Sequence, residues 1–481
     1  MNYGIFLSFS IYFSILALIC RLSYKKKNSA SEFIIGDRSA NYWVTAISAH
    51  ASDMSSWLFM GLPAAIYIGG GFHCWAAIGL AIFMFFNWHF IAPKLRQVSE
   101  ESNSLTLPSL FETRLGDKSG IIRIVSAILS FFFFSFYISS GMIGMGILFE
   151  SVFQVNYHVG ISLSIFMVML YTFIGGYTTI VWTDFFQGLF LLFVIMLVPF
   201  LAFFKIGGLS HICLLAQEKN IILSPFPDAS FSSFLQIILI TIGWGIGYFG
   251  QPHILNKFMG INKTEEIYKS KYVGMSWHIL SLSSAVAIGY IGIAYHYKGL
   301  ANDELIFVEM VKDMFPPIFS GFILCAILAA TISTIDSQIL VLSSIIAEDL
   351  YKKTIRKNAS PREELLISRI SVLLICILSY LIAFKKNNTV YELVFYAWSG
   401  LGASFGPILI LTLYSKKLKY YGAVIGMLLG GGLSASWHFF SLFPNLNIPA
   451  IIPGFLLGTL SAYLISILPF SFFKKRSKQN Q

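Results

Sequence analysis

The chain has 481 residues, of which 56% are apolar and 12% charged, where soluble domains average roughly 45–50% and about 25%; one soluble core is therefore excluded. Its net charge of +10 comes with no zinc finger, RNP-like segment or continuous basic face, which argues against a nucleic-acid partner. The lysines and arginines lie instead in short connections between apolar runs, the pattern of the positive-inside rule.

The first apolar run covers about 4–20 and lacks both a basic leader and a small-residue cleavage site. Arg21 and Lys25, Lys26 and Lys27 follow it, so it reads as a retained span with its C-terminal end in the cytoplasm, not as a signal peptide. Further runs lie near 41–70, 75–93, 124–151, 158–178, 184–206, 232–252, 272–296, 317–347, 367–384, 390–414, 421–441 and 449–471, giving thirteen predicted spans, each at or above about 17 residues. Alternate connections hold 27 of the 33 lysines and arginines and the others hold 6. That split places the N-terminus outside and the C-terminus in the cytoplasm. Five cysteines, Cys20, Cys74, Cys213, Cys325 and Cys376, have no CxxC spacing and imply neither a disulfide framework nor a zinc site; a Cys74–Cys213 bridge is left open.

Span 2 contains Ser-Ala-His-Ala-Ser-Asp-Met-Ser-Ser-Trp-Leu-Phe-Met-Gly-Leu-Pro at 48–63. A carboxylate, Asp53, among small hydroxylated residues and a proline, Pro63, do not suit a plain membrane helix. They are tolerated where neighbouring protein or a wet cavity satisfies the freed backbone and the charge. The span therefore reads as a discontinuous helix lining a solute path, as in secondary transporters. Span 7 has a second such stretch, Thr-Ile-Gly-Trp-Gly-Ile-Gly-Tyr-Phe-Gly-Gln-Pro at 241–252, whose glycines and proline would be costly in a plain helix. If spans 2–6 form one repeat and spans 7–11 the other, Asp53 and Trp244 fall in the first span of each half; the halves share no sequence similarity beyond this placement. In span 9, Ser333 and Thr334 point about 100° apart on a helix, so their hydroxyls and nearby carbonyls can converge on a hard monovalent cation. Both hydroxyls can equally bond back to the preceding turn, and Asp336 in the same span favours the cation.

These stretches, together with Tyr-Thr-Phe-Ile-Gly-Gly-Tyr at 171–177, Trp-Thr-Asp at 182–184 and Glu-Asp-Leu-Tyr at 348–351, resemble the sodium/solute symporter family, and within it the proline-carrying branch, with specific motifs over about 33–353. The resemblance implies an all-α membrane protein with 13 transmembrane helices and a five-plus-five inverted-repeat, LeuT-like core. Residues 1–40 would supply the first span and its cytoplasmic loop, 41–206 the first repeat, 207–414 the second, and 415–481 two accessory spans and a tail. It further implies a sodium site made of the carbonyls of Ala51, Met54 and Ala330 and the hydroxyls of Ser333 and Thr334, with Asp53 essential for coupling. Ser55, Trp57, Tyr137, Trp244, Tyr248 and Pro252 would face the substrate, and Arg38 and Asp184 would act in gating. Ser56, Cys325 and Asp336 stand where the branch has glycine, serine and serine, which bears on the substrate more than on the mechanism; the extra carboxylate of Asp336 either alters ion number or substrate charge, or pairs with a nearby donor.

The expected function is sodium-coupled uptake (symport) of a small organic solute, L-proline, through the plasma membrane, with Na+ as the co-transported ion and neither enzyme chemistry nor an obligate protein partner. Alternatives are another amino acid, a short carboxylate or a sugar, a sensor built on a symporter scaffold, or a channel. About ten residues follow the last span, too few for an output domain. Asp117-Lys118-Ser119-Gly120 resembles the phosphorylated loop of P-type pumps, yet its connection has no room for a nucleotide domain and no GxxxxGK[ST] occurs. His50, His253 and His278 are isolated in sequence and read as having no metal role, and Phe131–Phe134 as lipid-facing or packing residues.

Overall fold

The computed structural model describes residues 3–23, 29–174, 176–386, 389–440 and 447–468. The lysines at 25–27, the side chains of the 171–175 motif and the basic tail at 472–481 lie outside the described residues. Helices α1 (Tyr3–Ser23) and α2 (Ala30–Ile35) lead to α3 (Tyr42–Met54) and α4 (Gly61–Gly69), then α5 (Cys74–Phe86), α6 (Ala92–Glu101), α7 (Leu107–Leu115) and α8 (Ile121–Phe153). Next come α9 (Tyr157–Ile174), α10 (Tyr177–Lys205), α11 (Leu209–Glu218), α12 (Phe231–Gly245), α13 (Pro252–Met259) and α14 (Ile267–Tyr295). The chain continues through α15 (Ile306–Met314), α16 (Pro317–Ser344), α17 (Pro361–Ala383), α18 (Val390–Tyr414), α19 (Tyr420–Ser436) and α20 (Ile451–Ile467). A single bridge, between Ala40 and Ile261, is the only β pairing among the described residues.

Nine helical stretches among the described residues are long and apolar enough to cross a bilayer, and Tyr157–Met169 and Ile451–Ile467 are shorter apolar helices. The expected spans outside those nine are the one at 41–70, whose first half is the 13-residue α3, and the ones carried by α9, α19 and α20; α19 and α20 have 17 residues each, near the lower limit of about 17–20 for crossing hydrocarbon.

Both expected breaks are present. Helix α3 stops because Ser55 takes φ +46° and ψ −166°; a 3-10 turn, Ser56–Leu58, follows. Helix α4 then restarts with Pro63 in its first turn, where a missing N–H does no harm. Helix α12 ends at Gly245, passes through a 3-10 turn at Ile246–Gly250, and resumes as α13 on Pro252 at its first position. The second break extends further than expected: the predicted span closed at 252, whereas α13 carries on to Met259, because His253, Asn256 and Lys257 lower hydropathy while being buried.

Helices α3, α10, α14 and α16 pack against one another, α1 lies on α16 and α10, and α18 packs with α8, α19 and α20. In α16 and α18, 83% of the membrane window is buried, so these two helices form the centre. Phe193, Phe200 and Phe204 of α10 are exposed, a face suited to lipid. Phe133 and Phe134 are buried, whereas Phe132 is exposed. The Cys74–Cys213 bridge does not form: both thiols are free, Cys74 is buried with its sulfur 3.3 Å from the Tyr290 hydroxyl, and Cys213 is exposed.

Close backbone approach explains the glycines of the second break. A Cβ on Gly247 would fall 2.0 Å from Trp398 Nε1. Gly247→Ala is therefore expected to destabilise the fold by about 1–3 kcal/mol, read as a lower thermal unfolding midpoint in detergent. Gly432→Ala on α19, with nothing within 4 Å, should leave that midpoint unchanged or slightly raised.

Candidate functional site

The two breaks face each other across one small cavity. Asp53, in the last turn of α3, accepts a hydrogen bond from the Tyr248 hydroxyl in the second break. The Tyr137 hydroxyl of α8 donates to the Asp53 backbone carbonyl at 3.2 Å. Asp53, Met54, Trp57, Tyr137, Trp244 and Tyr248 line the cavity, and Leu80, Val394 and Trp398 complete its wall. Its volume is about 10 Å³, room for a single water, so a solute enters only when the walls part.

An aromatic stack covers it. The rings of Trp57 and Trp244 are 4.8 Å apart, Trp244 and Tyr391 5.2 Å, and Trp57 and Tyr391 6.4 Å, within the range of favourable ring pairs. Trp244 Nε1 donates to the Tyr391 hydroxyl at 3.1 Å, while Trp57 Nε1 is buried without a partner. Tyr391 in turn is anchored through its backbone N–H, which donates to the buried Glu304 carboxylate at 3.2 Å. Sequence reasoning missed Tyr391 and Trp398. Trp398 carried a weak signal as a lone tryptophan in a Ser/Gly-rich span; Tyr391 carried none.

Beside the cavity, α16 meets the end of α3 through oxygen atoms. Ser333 Oγ donates to the Ala51 carbonyl at 2.8 Å and the Ala330 carbonyl at 3.0 Å. Thr334 Oγ1 donates to the Ala330 carbonyl at 2.9 Å and accepts the Ser55 N–H at 3.0 Å. The hydroxyls thus bond back one turn, as the second sequence alternative has it, and also reach across to α3. Met54, the last residue of α3, is buried beside them.

The remaining predicted residues fall elsewhere. The Ser55 hydroxyl accepts the Trp57 N–H at 3.2 Å and does not line the cavity. Pro252 lines a second cavity with Thr106, Asn256 and Ser344. Asp184 accepts from Lys257 Nζ at 2.8 Å, Ser48 at 2.9 Å and Ser337 at 3.3 Å, and both charged side chains are 1% exposed. Lys257 was not singled out from sequence. Arg38 donates to the Met259 carbonyl at 2.7 Å, to Ser99 Oγ at 3.1 Å, and to the Ser99 and Ser104 carbonyls at 3.0 and 3.1 Å. Next to it, Ala40 pairs with Gly260 and Asn262 through backbone bonds of 3.3 and 2.8 Å. Asp336 is buried in α16 and takes no part in the cavity wall.

Residues 33–430 match the model of the sodium:solute symporter family. The chain is 41% identical over 457 residues to the high-affinity proline transporter PutP of Bacillus subtilis (strain 168), covering 94% of this chain and 96% of that one. It is 38% identical over 480 residues to the sodium/proline symporter of Escherichia coli (strain K12), covering 98% and 94%. Its fold is similar to that of a Na+-coupled sialic acid symporter in a substrate-bound outward-open state, with a TM-score of 0.80, 18% identity and coverage of 95% and 97%. It is also similar to MhsT in complex with L-phenylalanine, with a TM-score of 0.55, 13% identity and coverage of 89% and 99%. At these identities the two solved structures speak to the fold alone.

The buried Asp184–Lys257 pair generates a prediction. Asp184→Asn leaves an ammonium without its counter-charge and is expected to lower stability by roughly 3–5 kcal/mol. The double variant Asp184→Asn/Lys257→Met should recover most of that loss, measured as the midpoint of thermal unfolding.

Proposed function

The chain belongs to the sodium:solute symporter family, and from that membership we propose that it takes up L-proline with Na+ across the plasma membrane by alternating access. The observation that carries this reading is the cavity between the two breaks, where Asp53, an unpartnered Trp57 N–H and aromatic walls stand next to an oxygen-only cluster. A zwitterionic imino acid matches that inventory. Its carboxylate meets the Trp57 N–H and the N-terminal end of α4, which carries a partial positive charge. Its ring packs on Trp244 and Tyr137, and its ammonium faces Asp53.

Na+ takes the carbonyls of Ala51, Met54 and Ala330 with the hydroxyls of Ser333 and Thr334. Binding there ties α3 to α16, and because linkage is reciprocal, Na+ raises proline affinity by the factor that proline raises Na+ affinity. Arg38, Asp184 and the bridge at Ala40 hold the cytoplasmic side shut until release. Inward release follows the ion and voltage gradients, at about 2.3 kcal/mol per charge per 100 mV. Thirteen spans, an outside N-terminus, a cytoplasmic C-terminus and two repeats at 41–206 and 207–414 are the layout that the charge distribution and the two breaks support.

The departures from the proline branch leave this reading intact. Ser56, Cys325 and Asp336 do not line the cavity; the Ser56 hydroxyl points at α8, where a Cβ on Gly144 would come within 2.5 Å of it.

Uptake of labelled proline into proteoliposomes tests the proposal. An inward Na+ gradient should drive accumulation, and Asp53→Asn should abolish it. Trp57→Phe, which keeps the ring and loses the N–H, should raise KM about 10-fold, the equivalent of one hydrogen bond to a carboxylate. Na+-driven accumulation of a different solute, with proline neither taken up nor competing, would show the substrate assignment to be wrong.

A further inference from the structure

Behind the cavity the fold joins groups that the sequence scatters. His50 and Asp53, one turn apart on α3, meet His278 of α14, with one potential ligand atom of each within 4.8 Å of the others and all three side chains buried. The two imidazole rings are 4.8 Å apart, which corrects the sequence reading of His50 and His278 as isolated; His253 stands apart, edge-on to Phe134 and Tyr137. His50 Nδ1 is buried without a hydrogen-bond partner, His278 has the Leu80 backbone beside it, and both residues are 0% exposed. An unpaired polar atom in such an interior is costly, and a metal ion is one group that would satisfy it.

We propose that His50, Asp53 and His278 form a site for a borderline-soft divalent cation, Zn2+ being the prime case, which enters through the substrate cavity and arrests transport. Two imidazoles and a carboxylate are a mixed nitrogen and oxygen set that such cations prefer, whereas Na+ takes oxygen alone. Ligand atoms around tetrahedral Zn2+ stand about 3.3 Å apart, so small ring rotations bring the trio to the metal. Asp53 lines the cavity, which gives the cation its path.

Two donors already engage these ligands, and the one on His50 competes with a metal. Trp88 Nε1 donates to His50 Nε2 at 3.2 Å, and the Tyr248 hydroxyl donates to Asp53. Whichever nitrogen of His50 binds the metal, the Trp88 bond is lost, because a metal on Nδ1 leaves Nε2 protonated. The bound cation also puts positive charge next to the Ala51 and Met54 carbonyls, weakening Na+ binding. That effect on transport rests on the proposed coupling role of Asp53; the binding itself does not.

The test is titration of the purified full chain with Zn2+ by calorimetry and with Co2+ by visible absorption, in the absence of Na+ and proline. One equivalent should bind, with a tetrahedral Co2+ band. His278→Gln and His50→Gln should each weaken binding at least ~10-fold, and Trp88→Phe should strengthen it. Binding that survives both histidine substitutions, or no binding by either the native chain or Trp88→Phe, overturns the site. In proteoliposomes Zn2+ should inhibit native uptake and raise the Na+ concentration for half-maximal rate, and His278→Gln, active without metal, should resist. Histidine-dependent binding with uptake unaffected would keep the site and refute the coupling role of Asp53.

Discussion

Unwound backbone at membrane depth must find partners for its N–H and C=O groups, and most of the buried polar architecture here follows from that demand. Around the first break, Thr334 of α16 takes the Ser55 N–H, Ser333 caps the Ala51 carbonyl, and Tyr137 of α8 caps the Asp53 carbonyl. Around the second, Asn87 donates to the Tyr248 carbonyl at 3.2 Å, Gln251 to the Gly247 and Trp398 carbonyls, and Trp398 Nε1 to the Trp244 carbonyl at 2.9 Å. Side chains of α8, α16, α18 and the α5–α6 segment are thus committed to two interrupted helices. Any group that replaced part of that network would change how the two helices sit relative to their neighbours.

The two sides of the cavity are packed by different physics. Toward the predicted cytoplasmic side there is a buried ion pair, Asp184–Lys257, a guanidinium on three carbonyls at Arg38, and a backbone bridge at Ala40. Toward the other side lie three aromatic rings and one carboxylate, Glu304, on the first turn of α18. Rings slide with little directional penalty, whereas a desolvated ion pair separates only if each charge finds new partners. The polar side is therefore the more directional of the two, and any ligand that shifts it must contribute differential binding free energy between two states.

Several of these features were legible in the sequence, each because it violated a local rule. Gly243, Gly245, Gly247 and Gly250 beside Pro252, and Asp53 beside Pro63, have no place in a plain membrane helix, and the structure breaks both helices there. Ser333 and Thr334 declared themselves as adjacent hydroxyls in an apolar run. What stayed hidden was pairing across helices. Lys257 counted as a cytoplasmic charge, yet the chain folds it back into α13 at 1% exposure against Asp184, because a carboxylate 73 positions away makes its burial tolerable. Tyr391 and the His50–His278 contact had no local signal for the same reason: each is defined by a partner on another element.

Asp53 sits where the ends of two half-helices divide the labour. Because the chain leaves helical geometry at Ser55, the carbonyls of the last turn of α3, Ala51 to Met54, lack their usual partners one turn on, and they carry the partial negative charge of a helix C-terminus. That end suits a cation, and the hydroxyls of Ser333 and Thr334 extend its oxygen surface. Across the gap, the N–H groups at the start of α4 present the opposite sign, which suits an anionic group. A single interruption thereby puts ends of opposite partial charge on the two sides of one residue, and the Asp53 side chain, held by Tyr248 from the second break, ties that interruption to the other half of the fold.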